Sequence, residues 1–82
     1  MKYTIEFKST AIKDLQKINS TDAQKLLNKI QLLEDNLKGD IKKLTNYTPE
    51  FRLRAGDYRV LFELIENKII IYRIKHRKDV YK

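Results

Sequence analysis

Eighty-two residues make one domain with room for a single sizeable core. There are no cysteines, so neither a disulfide framework nor a thiolate metal site is available, and one histidine, His76, is too few for an all-protein zinc site. A formal net charge of +7 favours a nucleic acid, an acidic protein or an anionic surface as partner.

Tyr3, Ile5 and Phe7 alternate with Lys2, Thr4 and Glu6, the pattern of a half-buried strand. Ser9 or Thr10 is placed to cap a helix in which Ala11, Ile12, Leu15 and Ile18 recur at helical spacing. Asn19-Ser20 breaks that run. Thr21-Asp22-Ala23-Gln24 then fits a capping box, Thr21 and Gln24 each serving the other's unpaired amide. Ala23, Leu26, Leu27, Ile30, Leu33 and Leu37 form one apolar stripe, and Gly39 is the expected stop. Two helices joined by so short a turn should form an antiparallel hairpin.

The period changes after residue 50. Phe51, Leu53 and Ala55 alternate with Arg52 and Arg54, and Ala55-Gly56-Asp57 supplies a turn. Residues 58–65 are nearly continuous strand formers. Glu66-Asn67 marks another turn, and residues 68–75 return as an isoleucine-rich strand. The predicted architecture is a two-layer α+β domain over residues 1–82. Its order is β-α-α-β-β-β, with the helical hairpin packed on a small, mainly antiparallel sheet. No repeat, low-complexity tract or linker interrupts it. No apolar run approaches about 20 residues and no charged-then-apolar leader opens the chain, so the expected location is the cytoplasm.

Residues 51–82 hold nine basic and four acidic side chains, so +5 of the net charge falls on the predicted sheet. Alternation puts Arg52 and Arg54 opposite Phe51 and Leu53, and Arg59 opposite Val60 and Phe62. It puts Arg73 and Lys75 opposite Ile70, Tyr72 and Ile74. If the helices cover the Phe51/Val60/Phe62/Ile74 face, the basic side chains meet on the open face. The same phasing places Leu61, Ile69 and Ile71 there with them. A polyanion suits such a surface, because guanidinium groups grip phosphate oxygens in pairs and stay charged. The alternative is that Arg59 pairs with Glu63 and the charge only keeps the sheet soluble.

Several chemistries lack their parts. With only Gly39 and Gly56 there is no glycine-rich phosphate loop. No close set of carboxylates suggests a metal-dependent nuclease, and no second histidine exists to divide acid and base work. Catalysis would rest on arginine, lysine, His76 and tyrosine. With those groups RNA cleavage is chemically possible. The ribose 2′-OH attacks the adjacent phosphate, a cyclic phosphate results, and fixed guanidinium groups stabilise the charge that gathers on the phosphate oxygens. Tyr81 could take the 2′-OH proton if the nearby Lys75, Arg77, Lys78 and Lys82 favour its charged form. His76 competes for that role. Against both stand plain structural roles: Tyr81 packing its ring as the chain ends, and His76 as a surface or stacking residue.

Four stretches together resemble the RelE side of the RelE/ParE superfamily of bacterial toxins. They are Phe7–Leu15 (with Ala11 and Lys13-Asp14-Leu15), Lys43-Leu44, Arg52-Leu53-Arg54-Ala55-Gly56-Asp57-Tyr58-Arg59-Val60 and His76-Arg77-Lys78-Asp79-Val80-Tyr81. The resemblance covers almost the full length. It implies a small β-α-α-β-β-β toxin that cuts messenger RNA in the ribosomal decoding site, uses no metal or other cofactor, and is inhibited by a cognate antitoxin that wraps it. It makes Arg59, in the G-x-Y-R stretch, the contact to the reacting phosphate. It puts Arg52 where members place a basic residue at the end of the second strand, and makes Tyr81 the base. A basic group shortly before that tyrosine acts on the phosphate or leaving oxygen; Lys75 and Arg77 both fit, and Arg77 is preferred. Arg52, Arg59, Arg77 and Tyr81 are therefore the expected catalytic residues, with Arg54, Arg73, Lys75, His76 and Lys78 binding substrate. Glu50 departs from members that carry lysine two positions before Arg52.

Three functions compete on this basis: a ribosome-dependent endoribonuclease toxin, a ParE-like poison of DNA gyrase on the same fold, and a non-catalytic basic binding module. The His76–Tyr81 ending favours the first. The expected partners are a cognate antitoxin with an acidic or amphipathic segment, the ribosome and mRNA, with no membrane and no small-molecule cofactor.

Overall fold

The computed structural model describes residues 2–79. Strand β1 (Thr4–Phe7) leads into helices α1 (Ser9–Gln16) and α2 (Ser20–Gln31), and α2 tightens into one 3-10 turn, Leu32–Glu34. Four strands follow: β2 (Ile41–Lys43), β3 (Phe51–Ala55), β4 (Tyr58–Ile65) and β5 (Lys68–His76). The sheet order is β1-β5-β4-β3-β2; β1 runs parallel to β5 and the other neighbours are antiparallel. This is the expected two-layer α+β arrangement with one strand more. Ile41-Lys42-Lys43 is too short and too charged to announce itself as a strand. It becomes one because β3 offers it a ladder, Ile41 opposite Leu53 and Lys43 opposite Phe51.

The helix signals sit slightly away from their expected places. Asn19, not Thr21, caps α2: its side chain accepts the Asp22 amide at 2.9 Å and donates to the Asp22 carboxylate at 3.0 Å. Gln24 instead donates to Asn28, one turn on. Thr10 does not cap α1 but donates its hydroxyl to the Tyr72 carbonyl at 2.7 Å. The helix also ends before Gly39. The chain reverses at Asn36 and Leu37, whose φ angles are 59° and 56°. Gly39 serves a close approach, since a Cβ there would stand 2.8 Å from Leu53 Cδ1.

The core lies between the layers. Ala11, Leu26, Ile30 and Leu33 from the helical layer cover Leu53, Val60, Phe62, Ile69, Ile71 and Ile74 from the sheet. Phe62 is fully buried and stacks on Phe51 with ring centroids 5.4 Å apart. Burying a side chain of this size contributes about 1.5–3 kcal/mol.

One irregularity decides which side chains reach which face. Leu61 lies opposite Arg73, but Phe62 lies opposite Ile71, so Tyr72 is an extra residue in β5. This bulge reverses the phase of the strand. Ile69 and Ile71 therefore belong to the core and not, as uninterrupted alternation predicted, to the open face. Ile70, opposite Glu63, takes the open side instead. Beyond the bulge Ile74 is again in the core, while Arg73 and Lys75 lie on the open side.

Candidate functional site

On the open face the basic residues line up in two rows across the strands. Arg54 lies opposite Arg59, and Arg59 opposite Lys75. In the next row Lys42 lies opposite Arg52, Arg52 opposite Leu61, and Leu61 opposite Arg73. Like charges placed directly opposite one another destabilise a sheet. The first row is therefore an arrangement that an anion would relieve. Leu61 is 2% exposed although it faces away from the helices, which gives the basic surface an apolar floor.

Arg59 is held at its centre. One guanidinium nitrogen donates to the Gly56 carbonyl at 2.8 Å and to the Tyr58 carbonyl at 2.9 Å. Gly56 has φ 60°, a left-handed conformation glycine adopts freely, and so turns its carbonyl toward the arginine. Carbonyls orient a guanidinium without neutralising it. Among the described residues no carboxylate forms an ion pair with Arg59. Glu63, the alternative partner, accepts the Glu50 amide at 2.8 Å instead. Desolvation and then the charges of Arg52, Arg54 and Arg77 push the Arg59 pKa below its usual value, with Asp40 opposing them. The group stays charged, in a field short of negative charge.

Its neighbours are held more loosely. Arg54 pairs with Asp40 at 2.6 Å and Arg77 with Asp57 at 3.8 Å, and all four side chains are more than half exposed. Such exposed pairs are weak and leave a phosphate free to displace the carboxylates. Lys75 makes no side-chain hydrogen bond or ion pair among the described residues. Arg77 follows β5 in a turn tied to the β3–β4 turn by its amide, which donates to the Asp57 carbonyl at 2.7 Å. Exposed Lys78 lies in the same turn. Tyr81 lies outside the described residues.

Two of the expected substrate-binding residues stand apart. Arg73 donates to both oxygens of Asp14 on α1, at 2.8 and 3.2 Å, and the same carboxylate accepts the Ile74 amide at 2.9 Å. The Asp14 side chain is only 11% exposed. Burial alone would raise its pKa, but the bonds from Arg73 and Ile74 and the charges of Arg73 and Lys17 outweigh it, and the net shift is downward. The bond to Asp14 in turn raises the Arg73 pKa against the opposing cost of burial. His76 takes the helix-side phase opposite Tyr58, its ring edge-on to that tyrosine at 5.6 Å, and its Nδ1 accepts the Lys78 amide at 3.3 Å.

Sequence reasoning missed Lys42, which joins the rows only through β2, and Asp14 and Asp40, whose partners are remote in sequence. Among the described residues no three His, Cys, Asp or Glu side chains gather as a metal site needs. No helix among them is long and apolar enough to cross a membrane.

A family model described as the ParE toxin of the type II toxin–antitoxin system parDE matches residues 5–81. The chain belongs to the RelE/ParE toxin superfamily. Toxin RelE3 of Methanocaldococcus jannaschii is 32% identical over 80 residues, covering 92% of this chain and 91% of that protein. The mRNA interferase toxin RelE of Escherichia coli K12 is 25% identical over 87 residues, covering 99% and 92%. The toxin fold also superposes on a chain of the RelB–RelE antitoxin–toxin complex from Methanococcus jannaschii. That match has a TM-score of 0.76 and 33% identity, over 92% of this chain and 93% of that one. Relatives and structure alike fall on the RelE side of the superfamily.

Proposed function

We propose that this RelE/ParE member is the toxin of a type II toxin–antitoxin pair. It acts in the cytoplasm, as one domain over residues 1–82, and cuts mRNA on the ribosome. The observation that carries the reading is Arg59: fixed by two carbonyls, surrounded by Arg52, Arg54 and Arg77, and ion-paired to no carboxylate among the described residues. A scissile phosphate placed there meets several guanidinium groups where charge develops in the transition state. Tyr81 takes the 2′-OH proton, the 2′ oxygen bonds to phosphorus, and the bond to the 5′ oxygen breaks. Arg77 stabilises the charge on the leaving oxygen, and Lys75, in the row with Arg59, gives it a proton. The products are a cyclic phosphate and a free 5′-OH, and protein side chains do all the proton handling. Arg54, Lys75 and Lys78 serve substrate binding, whereas Arg73 is engaged by Asp14 and His76 is turned to the helix side; a cognate antitoxin of acidic or amphipathic character covers the basic face.

The names of the relatives support the same reading, as does the antitoxin-bound structural neighbour. Mapping message 5′ ends after induction tests it: new ends in codon register with the wild type, and none with Arg59→Ala or Tyr81→Phe. Uncut messages alongside trapped gyrase–DNA cleavage complexes would replace the proposal with a ParE-type activity on the same fold.

A further inference from the structure

Beyond the arginine cluster, we propose that Asp14 is a positioning residue: its carboxylate clamps the far half of β5 and so fixes the register in which Lys75 and Arg77 are presented to the substrate. The inference rests on the RNA-cleaving reading above.

Strand β1 pairs with β5 only from Lys68 to Ile71. Past that point the outer edge of β5 has no strand beside it, yet three of its polar groups find partners. The Ile71 carbonyl accepts the Lys8 amide at 2.8 Å, the Tyr72 carbonyl accepts the Thr10 hydroxyl at 2.7 Å, and the Ile74 amide donates to Asp14 at 2.9 Å. The stretch from Lys8 to Asp14 thus does the work of a missing strand, and it does so at the bulge. A slip of one residue beyond the bulge would carry every later side chain to the other face. Such a slip would take Lys75 off the row it shares with Arg59. Asp14 opposes it twice. It binds the backbone at Ile74 and, through Arg73, the side chain one residue earlier on the opposite face. A small displacement of a catalytic group costs up to about a hundredfold in rate.

The test compares wild type, Asp14→Asn, Arg73→Leu and the double variant in ribosome-dependent cleavage. It is run well below each melting temperature, with hydrogen exchange read at the Ile74 amide. Asp14→Asn should lower kcat about tenfold or more with KM within about twofold, and should speed Ile74 exchange. The double variant should fall no further than the lower single one, because both changes break one clamp. A folded Asp14→Asn protein with kcat within twofold of wild type overturns the proposal. So does a loss that follows the unfolded fraction and vanishes on cooling. Should Asp14→Asn not fold, Arg73→Leu carries the test, since it leaves the Ile74 bond in place: a threefold or larger drop in kcat supports the clamp and an unchanged kcat overturns it. A wild type that cuts no message removes the RNA-cleaving reading itself, whereas an active wild type with an indifferent Asp14→Asn removes the clamp alone.

Discussion

Arg59 and Arg73 are the same residue type, on the same face of the same sheet, one strand apart. Arg59 rests on carbonyl oxygens among like charges, so its charge is available to a ligand. Arg73 is fitted to the partly buried Asp14 carboxylate, so its charge is largely answered within the protein. Whether an arginine serves a ligand or the scaffold is decided by its acceptor, carbonyl or carboxylate, and composition cannot reveal which it has.

The contrast is broken most sharply at Arg59. Arg59→Ala should lower message cleavage by about two to three orders of magnitude, the usual loss for one electrostatic donor in a transition state. Its melting temperature should hold or rise, because a like-charge pair is relieved. Activity within a few-fold of wild type would remove Arg59 from the centre of the site. Leu61→Ala, between Arg52 and Arg73, should cost about 2–4 kcal/mol in urea unfolding, as a core leucine does, although it lies on the open face. A cost under about 1 kcal/mol would mean the basic surface has no apolar floor.

Asp14→Ala should lose about 1–3 kcal/mol, for it strands the Ile74 amide and frees Arg73. Its pH dependence carries a definite sign. The Asp14 pKa is held below the ordinary value of 3.8, so its contribution is complete above that value and is lost as pH falls through the folded one. Acid unfolding curves should therefore show wild type losing stability below about pH 4 more steeply than Asp14→Asn. Parallel curves would assign the acid sensitivity elsewhere. The smallest effect belongs to the exposed pair: Asp40→Asn frees Arg54 and should tighten RNA binding only a few-fold, with a steeper dependence on salt. Unchanged binding at low salt would show that Asp40 does not compete with phosphate.

Much of the fold was legible in period alone. Tyr3-Ile5-Phe7, the stripe through Leu26 and Ile30, and the Phe51-Leu53 and Val60-Phe62 alternations each lead to the element and face observed. The misreadings have physical causes. Thr21-x-x-Gln24 matches the capping-box signature while Asn19 makes the actual cap, and the three residues of β2 hold too little pattern to mark a strand. Ile69, Ile70 and Ile71 were phased wrongly because a bulge adds a residue with no change in composition to mark it. The candidate site divides likewise: Arg52, Arg54, Arg59 and Lys75 follow from counting by twos, whereas Arg73's partner and His76's face do not.

Alternation and charge thus determined from the sequence alone that a basic sheet face would stand opposite a helical layer, because period and side-chain chemistry are local properties of the chain. Which arginine keeps its charge for a ligand, and which gives it to Asp14 59 residues earlier, was decided only by the tertiary fold. Counter-ions are chosen by distance in space, and a helix laid along the unpaired edge of β5 brings together groups that sequence spacing holds apart.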